Sequence, residues 1–407
     1  MKEVDKFIKN KKELLDYHKN NFKKYETVSA IIPSYNRCPY PVELYYMNPL
    51  IWMIYSLANQ KYSSLKEVVI VNDGSTDYTD DNIKFMGNKF KNSHFSIIYI
   101  KNESNKNPCV SRNIGAVNAS AQLIFFLDDD CILSDLALAG LLATRESLKK
   151  ENRIGAIHIP VFLRTEGYSD IKPLNKIGKL NLLNGTAFTN FRSFPHEYLL
   201  SEKVEYLLDT PYIKPVNVDF FQEVFLIERS LFNESGGFIE DCGFEYIQHE
   251  GLFLTTKLNK KKLSHYQIVD PNIYTIHFRY GNVFTFPQTT DSCYQLKIDN
   301  KYISLKTMIE ESSVSRVNTG NRTNLENIMI DSISGRYALF LYYNKDSARL
   351  WADHTYQALV NDNDPHDMLK VPKNTFSKEQ LESIWEKSIE KGKEVYEKKI
   401  INENWFC

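Results

Sequence analysis

The 407-residue sequence lacks an excess of either charge: 50 Lys and Arg stand against 51 Asp and Glu, giving a formal net charge of -1 and a pI near 6.8. A polybasic nucleic-acid-binding protein is excluded by that balance, and no nucleic acid is expected as a partner. Paired cysteines are also lacking. Cys38, Cys109, Cys131, Cys242, Cys293 and Cys407 are dispersed without a C-x-x-C pair or a Cys/His cluster, so neither a disulfide framework nor a structural zinc site is expected. Long apolar runs are missing as well: Leu123 to Leu127 and Leu136 to Ala143 fall far below membrane-spanning length. The start, Met1-Lys2-Glu3-Val4-Asp5-Lys6, reaches no apolar leader core, and a cytoplasmic protein is expected. No internal repeat or low-complexity tract stands out.

What is present is globular. Apolar residues make up 43% and charged residues 25%, which is ordinary for a chain able to bury a large core. At roughly 150 residues per domain the length fits two or three domains, or one enlarged α/β domain with an appendage. Residues 1–26 read as an amphipathic helix, with Val4, Phe7, Ile8, Leu14, Leu15 and Phe22 on one arc and most lysines elsewhere. Such a stripe docks on a neighbouring domain or lies on an anionic membrane surface, which leaves open a peripheral position at the inner face of a membrane.

From residue 27 the texture changes to short β-branched and aromatic runs: Val28 to Ile32, Glu67 to Val71, Phe95 to Ile100, Leu123 to Leu127 and Gly155 to Ile159. Segments of helical length lie between them, at Pro49 to Gln60, Ser111 to Ala121 and Ser134 to Lys149. This alternation predicts an α/β, mostly parallel sheet flanked by helices. The rhythm is lost from Pro160 to Pro215 and returns at Val216 to Ile227. Residues 281–407 read as a loop-like passage and then a mainly helical region, in which Ser377-x-x-Gln380 predicts a capping box ahead of a long charged helix. That region carries no acids clustered after a strand; it covers the back of the sheet, packs near an acceptor or mediates self-association.

The polar residues with chemical potential follow strand ends. Ile32-Pro33-Ser34-Tyr35-Asn36-Arg37 closes the first strand, and Val71-Asn72-Asp73-Gly74 closes the second, where open α/β folds bind ligands. Phe125-Phe126-Leu127-Asp128-Asp129-Asp130 puts three carboxylates directly after an apolar strand. Like charges repel, and a divalent cation with oxygen ligands, Mg²⁺ or Mn²⁺, relieves the repulsion. A solvated helix N-terminus explains the same acids without a metal. Upstream, Ser111-Arg112-Asn113-Ile114-Gly115 offers an Arg to a phosphate, to those acids or to an ordinary surface salt bridge.

These motifs, with Ser56-Leu57-Ala58-Asn59-Gln60, occur in the order seen in family 2 glycosyltransferases, and residues 27–280 resemble the GT-A (Rossmann-like) domain of that family. The resemblance implies an inverting, metal-dependent transferase that moves a sugar from a nucleotide-diphosphate donor, a UDP-sugar in the first instance, to an acceptor nucleophile, usually a hydroxyl. It implies Pro33, Tyr35, Arg37, Asp73, Arg112, Asp128 and Asp129 at the nucleotide, and Asp130 with Asp128 and His277 at a Mn or Mg cation. Arg229 to Glu240, containing Gly236-Gly237-Phe238, is similar to the family's approach to its catalytic base. That places the base at Glu250, with Glu245, Asp241 and His249 as alternatives because Gly251 stands where a second acid is usual. About ten residues, Cys38 to Met47, are inserted and carry Tyr40, Tyr45 and Tyr46, suggesting a lid. A single motif set argues against a polymerase alternating two sugars.

Two other functions fit less of this pattern. A catalytically silent sugar-nucleotide or glycan-binding module accommodates Gly251. A sugar-phosphate nucleotidyltransferase needs a Gly-rich basic loop after the first strand, where Pro33-Ser34-Tyr35-Asn36-Arg37 stands. The acceptor class, whether glycan, lipid-linked, protein or small molecule, is not encoded in these motifs, nor is the oligomeric state.

Overall fold

The computed structural model describes residues 11–151, 155–158, 161–164, 210–212, 214–218, 224–244, 249–268, 273, 275–277, 295–304, 307–308, 325–361 and 376–405. Elements are numbered over these residues. The chain divides into two compact units: Met1–Gly237 with Leu263–Gly320, and Phe238–Lys262 with Asn321–Cys407.

In the first unit, helix α1 (Lys11–Asn21) precedes β1 (Val28–Ser34), α2 (Pro49–Ala58), β2 (Leu65–Asn72), α3 (Thr79–Lys89), β3 (Ser96–Lys101), α4 (Pro108–Asn118), β4 (Leu123–Phe126), β5 (Cys131–Leu133) and α5 (Ala137–Lys150). Then come β6 (Ile157–His158), β7 (Val161–Arg164), β8 (Val216–Val218), β9 (Phe225–Glu228) and α6 (Arg229–Glu234). After the segment belonging to the second unit follow β10 (His265–Gln267), β11 (Thr275–His277), β12 (Gln295–Ile298) and β13 (Lys301–Ser304). Eight strands form one sheet in the order β3-β2-β1-β4-β9-β6-β10-β8. The β3-β2-β1-β4 half is parallel, while β9 runs antiparallel to both β4 and β6. This α/β layout, a parallel sheet joined by helical crossovers, agrees with the sequence expectation.

Every residue of β1 is buried, which is why it reads as a mostly apolar run, with Ser29 and Ser34 its polar members, rather than an alternating one. Its Pro33 is tolerated in a central strand because β1 and β4 pair only as far as Ile31 with Phe126, beyond which β4 diverges. The amide that proline lacks faces that gap. Helix α4 packs closely on β1 at Gly115, where an added Cβ would lie 2.4 Å from Ile31 Cγ2. At the opposite end of the strands, buried Glu67 accepts from Ser29 Oγ at 2.5 Å, from Ser120 N at 2.6 Å and from Ser120 Oγ at 2.8 Å. Burial works against its charge, but these bonds hold its carboxylate below the usual range.

Helix α1 turns Leu14 and His18 into the core of the first unit. The His18 ring bonds the hydroxyl of Tyr25 at 2.8 Å and that of Tyr212. Among the described residues of this helix the inward face is therefore occupied by the unit's own core, and no described helix is long and apolar enough to cross a membrane.

Two features depart from expectation. The inserted segment forms a short 3₁₀ stretch, Val42–Met47, that is latched rather than free as a lid. Asp299, in the turn of the β12–β13 hairpin, accepts from the Tyr45 hydroxyl and from Tyr55 Oη at 2.8 Å, and pairs with Lys89 Nζ at 2.7 Å. Lys301 Nζ stands 3.5 Å from the centre of the Tyr46 ring. That hairpin also breaks the expected loop-then-helix reading of residues 281 onward, since it belongs to the first unit.

The second unit is helical where described: α7 (Glu250–Lys260), α8 (Leu325–Tyr343), α9 (Lys345–Tyr356) and α10 (Lys378–Val395). Met329, Ile333, Leu359, Val360, Leu381 and Ile384 form its core. Ser377 and Gln380 make the reciprocal capping box at the start of α10. Buried Asp331 on α8 pairs with Lys391 Nζ at 2.6 Å. Gly335 on α8 leaves the space taken by the His249 ring, for a Cβ there would lie 2.2 Å from His249 Cδ2.

Burial lowers His18, His249 and His265 from 6.5 to about 4, so all three fold as neutral rings. Below about pH 6.5 the unfolded chain binds protons that the folded chain excludes, so their stability contribution falls until about pH 4. Urea unfolding across that range should show the loss. His18→Gln, which keeps partners for both tyrosine hydroxyls, should flatten the pH slope by up to one proton, about 1.4 kcal/mol per pH unit. An unchanged slope in that variant contradicts the neutral buried ring.

Candidate active site at the carboxyl edge of the sheet

Because β1, β2 and β4 run parallel, the residues that follow them meet at one edge. Asp73 after β2 and Asp128 after β4 therefore share that edge, as expected. The loops after β1 and β2 are zipped together by Asn36, which adopts a left-handed backbone with φ of 51°. Its Oδ1 accepts from Thr76 N at 2.7 Å and Asp77 N at 3.3 Å, while its own amide donates to Ser75 Oγ at 2.9 Å. Arg37 N donates to Thr79 Oγ1 at 3.1 Å and Cys38 N to Asp77 Oδ2 at 2.8 Å. This frame leaves the Tyr35 ring 37% exposed at the rim and turns the Arg37 guanidinium inward.

Asp73 is buried and organises the next loop. Its Oδ1 accepts from Asn102 Nδ2 at 2.7 Å and Lys106 N at 3.0 Å, and its Oδ2 accepts from Asn107 N at 3.1 Å. Asn102 Nδ2 also donates to Ser111 Oγ at 3.1 Å. Held in this way, Asn107 caps α4 by accepting from Val110 N at 3.1 Å, and Pro108 takes the first turn, where no amide donor is needed. The helix thus begins three residues before the expected Ser111. It delivers buried Arg112, whose Nη2 donates to Asp128 Oδ1 at 2.6 Å.

The three acids occupy the turn between β4 and β5, closed by Cys131 N donating to Asp128 O at 3.1 Å. Asp129 accepts from the Tyr35 amide at 3.3 Å and from Arg37 Nε at 2.9 Å. Arg37 Nη2 reaches Asp130 Oδ2 at 3.1 Å. Burial pushes the Asp129 carboxyl up to about 6, with its acidic neighbours adding to the rise and Arg37 opposing it. Arg37 is half-buried, which disfavours its charge, yet Asp129 and Asp130 outweigh that and hold it above its ordinary value.

Asp128, Asp130 and Cys131 each offer a ligand atom, all within 4.8 Å of one another. Two carboxylate oxygens suit a hard divalent cation, and the thiol adds a softer donor. In the backbone pairing of β5 with β11, His277 lies opposite Cys131, one residue from Asp130. His277 thus lies on the strand paired with β5, and Asp128 and Asp130 lie in the turn that leads into β5.

The sequence profile described as "Glycosyl transferase family 2" matches residues 29–232, which include all of β1 but Val28, β2, β4, Arg37, Asp73, Arg112 and all three acids. The chain belongs to glycosyl transferase family 2. A protein described as "Uncharacterized glycosyltransferase" from Rickettsia bellii (strain RML369-C) is 37% identical over 103 residues, 25% of this chain and 13% of that protein. The chain therefore spans only a small part of that relative's length. Among solved structures, S. aureus TarS 1-349 in complex with UDP superposes with a TM-score of 0.41 at 16% identity, covering 91% of this chain and 90% of that one. The same TarS fragment in complex with UDP-GlcNAc has the same score, identity and coverage.

The residues expected to supply a family 2 base lie in the second unit. Glu250 is the first residue of α7, half-buried. His249 is buried, and its Nε2 donates to the Asp331 carbonyl at 2.9 Å. Asp241 pairs with Lys399 Nζ at 2.9 Å and accepts from Gly243 N at 3.1 Å, the lysine bond chiefly holding its carboxylate below the usual range. Glu245 lies outside the described residues.

Asn36, Asn102, Asn107 and Cys131 were not singled out by sequence reasoning. Asn36 and Asn107 carry a signal only as asparagines at loop positions that accept a positive φ, and Cys131 only as the neighbour of Asp130.

Gly74 ties the Asp73 loop to this frame. It has φ of 76°, and a Cβ there would lie 2.5 Å from the Ser104 carbonyl carbon. Gly74→Ala should cost about 2 kcal/mol or more in urea unfolding. A loss below ~0.5 kcal/mol would contradict the packing described.

Proposed function

We propose that the chain is an inverting glycosyltransferase that moves a sugar from a nucleotide-diphosphate donor, a UDP-sugar in the first instance, to an acceptor hydroxyl. One observation carries this reading: in a family 2 chain, Asp128, Asp129 and Asp130 meet Arg37 and Arg112 at the edge that also holds Asp73.

The exposed Tyr35 ring offers a stacking face for the base, with Pro33 and Asp73 framing that side. Arg112 lies against Asp128 and holds it for the ribose and the metal, and also supplies positive charge toward the phosphates. Asp130 and Asp128, joined by His277, would hold a Mg²⁺ or Mn²⁺ ion, which when bound supplies charge that steadies the leaving diphosphate. Glu250 accepts the proton of the acceptor hydroxyl as that oxygen bonds to the anomeric carbon. The bond from that carbon to the phosphate oxygen breaks on the opposite face, the diphosphate leaves with the electron pair, and the configuration inverts.

Gly251, in place of a second acid, favours the alternative of a silent sugar-nucleotide or glycan-binding module. Incubation with a panel of nucleotide sugars and Mg²⁺ or Mn²⁺, read by mass spectrometry, separates the two: metal-dependent release of nucleoside diphosphate supports transfer chemistry, whereas binding without turnover supports the module. Asp130→Ala should cripple turnover; full activity in that variant, or in excess chelator, contradicts the metal-assisted reading. Glu250→Gln should lower turnover by roughly 10²-fold or more with donor binding little changed. Near-normal turnover there would move the base to Glu245, Asp241 or His249.

A further inference from the structure

We propose that Arg37 is the resident cation of the metal site: it pivots on Asp129 to release Asp130 when a divalent cation arrives, and so sets how tightly the free protein holds metal. The inference rests on the metal-binding reading of Asp130 given above.

The guanidinium spans two carboxylates through two different nitrogens. Nε donates to Asp129 Oδ1 at 2.9 Å, and Nη2 donates to Asp130 Oδ2 at 3.1 Å. Both carboxylates are largely buried, with side-chain exposures of 9% and 7%, so these pairs are poorly screened by solvent. A cation ligated by Asp130 therefore meets a positive group already bonded to that residue.

A histidine or protonated carboxyl would yield its proton to an incoming metal. A guanidinium does not deprotonate, so Arg37 can give way only by moving. The two contacts are unequal in that respect. Nε lies near the base of the group and holds Asp129, while Nη2 lies at its tip and holds Asp130. Rotation about the Nε contact withdraws Nη2 from Asp130 while leaving the buried Asp129 paired. This gives the middle acid of Asp128-Asp129-Asp130 a task separate from ligating metal. Arg112 pairs with Asp128 Oδ1 at 2.6 Å.

Arg37 is a positioning residue under this proposal, and the metal-free state carries a cost for taking up a cation that a neutral side chain would remove. The test is direct Mn²⁺ binding to the full chain without nucleotide, read from the electron paramagnetic resonance signal of free aquated Mn²⁺. Arg37→Gln, whose amide can still donate to Asp129, should bind Mn²⁺ about tenfold more tightly than the parent. Arg37→Lys, with one ammonium for two carboxylates, should fall between them and decides the question if the glutamine variant does not fold. Asp130→Asn should abolish the binding in each background. Equal or weaker Mn²⁺ binding in the Arg37 variants, with Asp130-dependent binding in the parent, overturns this inference alone. Absence of Mn²⁺ binding in parent and variants overturns the metal reading and this inference together.

Discussion

Charge neutralisation within the Asp128-Asp129-Asp130 turn is the constraint around which the site is arranged. Three carboxylates in sequence cannot be drawn into a buried turn unless cations meet them, and the cations come from two different loops. Arg37 arrives from β1 and reaches Asp129 and Asp130, while Arg112 arrives from α4 and reaches Asp128. Each arginine needs its own backbone support. Asn36 fixes the first by bonding the loop after β2. Asp73 fixes the second by gathering Asn102, Lys106 and Asn107 into the start of α4. The parallel order β2-β1-β4 brings both supports to the same edge.

This arrangement gives the family 2 assignment its physical content. The span matched by the family profile contains Arg37, Asp73, Arg112 and the three acids that build the charged edge. Burial at this edge accounts for the raised carboxyl of Asp129, while Asp129 and Asp130 keep Arg37 charged against the effect of burial. Water is scarce around these groups, so each carboxylate is strongly influenced by the nearest charge.

The parallel half of the sheet was legible because buried strands leave apolar runs, and β1 to β4 lie within one or two residues of their expected bounds. The acid cluster and Arg112 were legible because charged residues at strand ends and helix starts stand out against those runs. α4 begins at Pro108 rather than the expected Ser111 because Asn107 caps it and Pro108 suits its first turn. The β12–β13 hairpin was missed although Leu296 and Ile298 alternate with Gln295 and Lys297 ahead of an Asp-Asn turn; four-residue strands give too short a pattern beside a long loop-like passage. The latch of Asp299 on Tyr45, Tyr55 and Lys89 joins residues more than two hundred positions apart, and no local pattern announces it. Glu250, His249 and Asp241 were found through the motif context of Gly236-Gly237-Phe238, which speaks to chain position and says little about which carboxylate meets an acceptor.

The central claim is that these carboxylates exchange an internal arginine for a metal-bound diphosphate at one site. Anomalous diffraction from a crystal of the full chain grown with Mn²⁺ and UDP tests it most directly. The account predicts a manganese peak held by the Asp130 carboxylate beside the nucleotide, with Arg37 still on Asp129 and no longer on Asp130. Nucleotide bound at this edge with no manganese there, or manganese bound while Arg37 keeps both carboxylates, would contradict it.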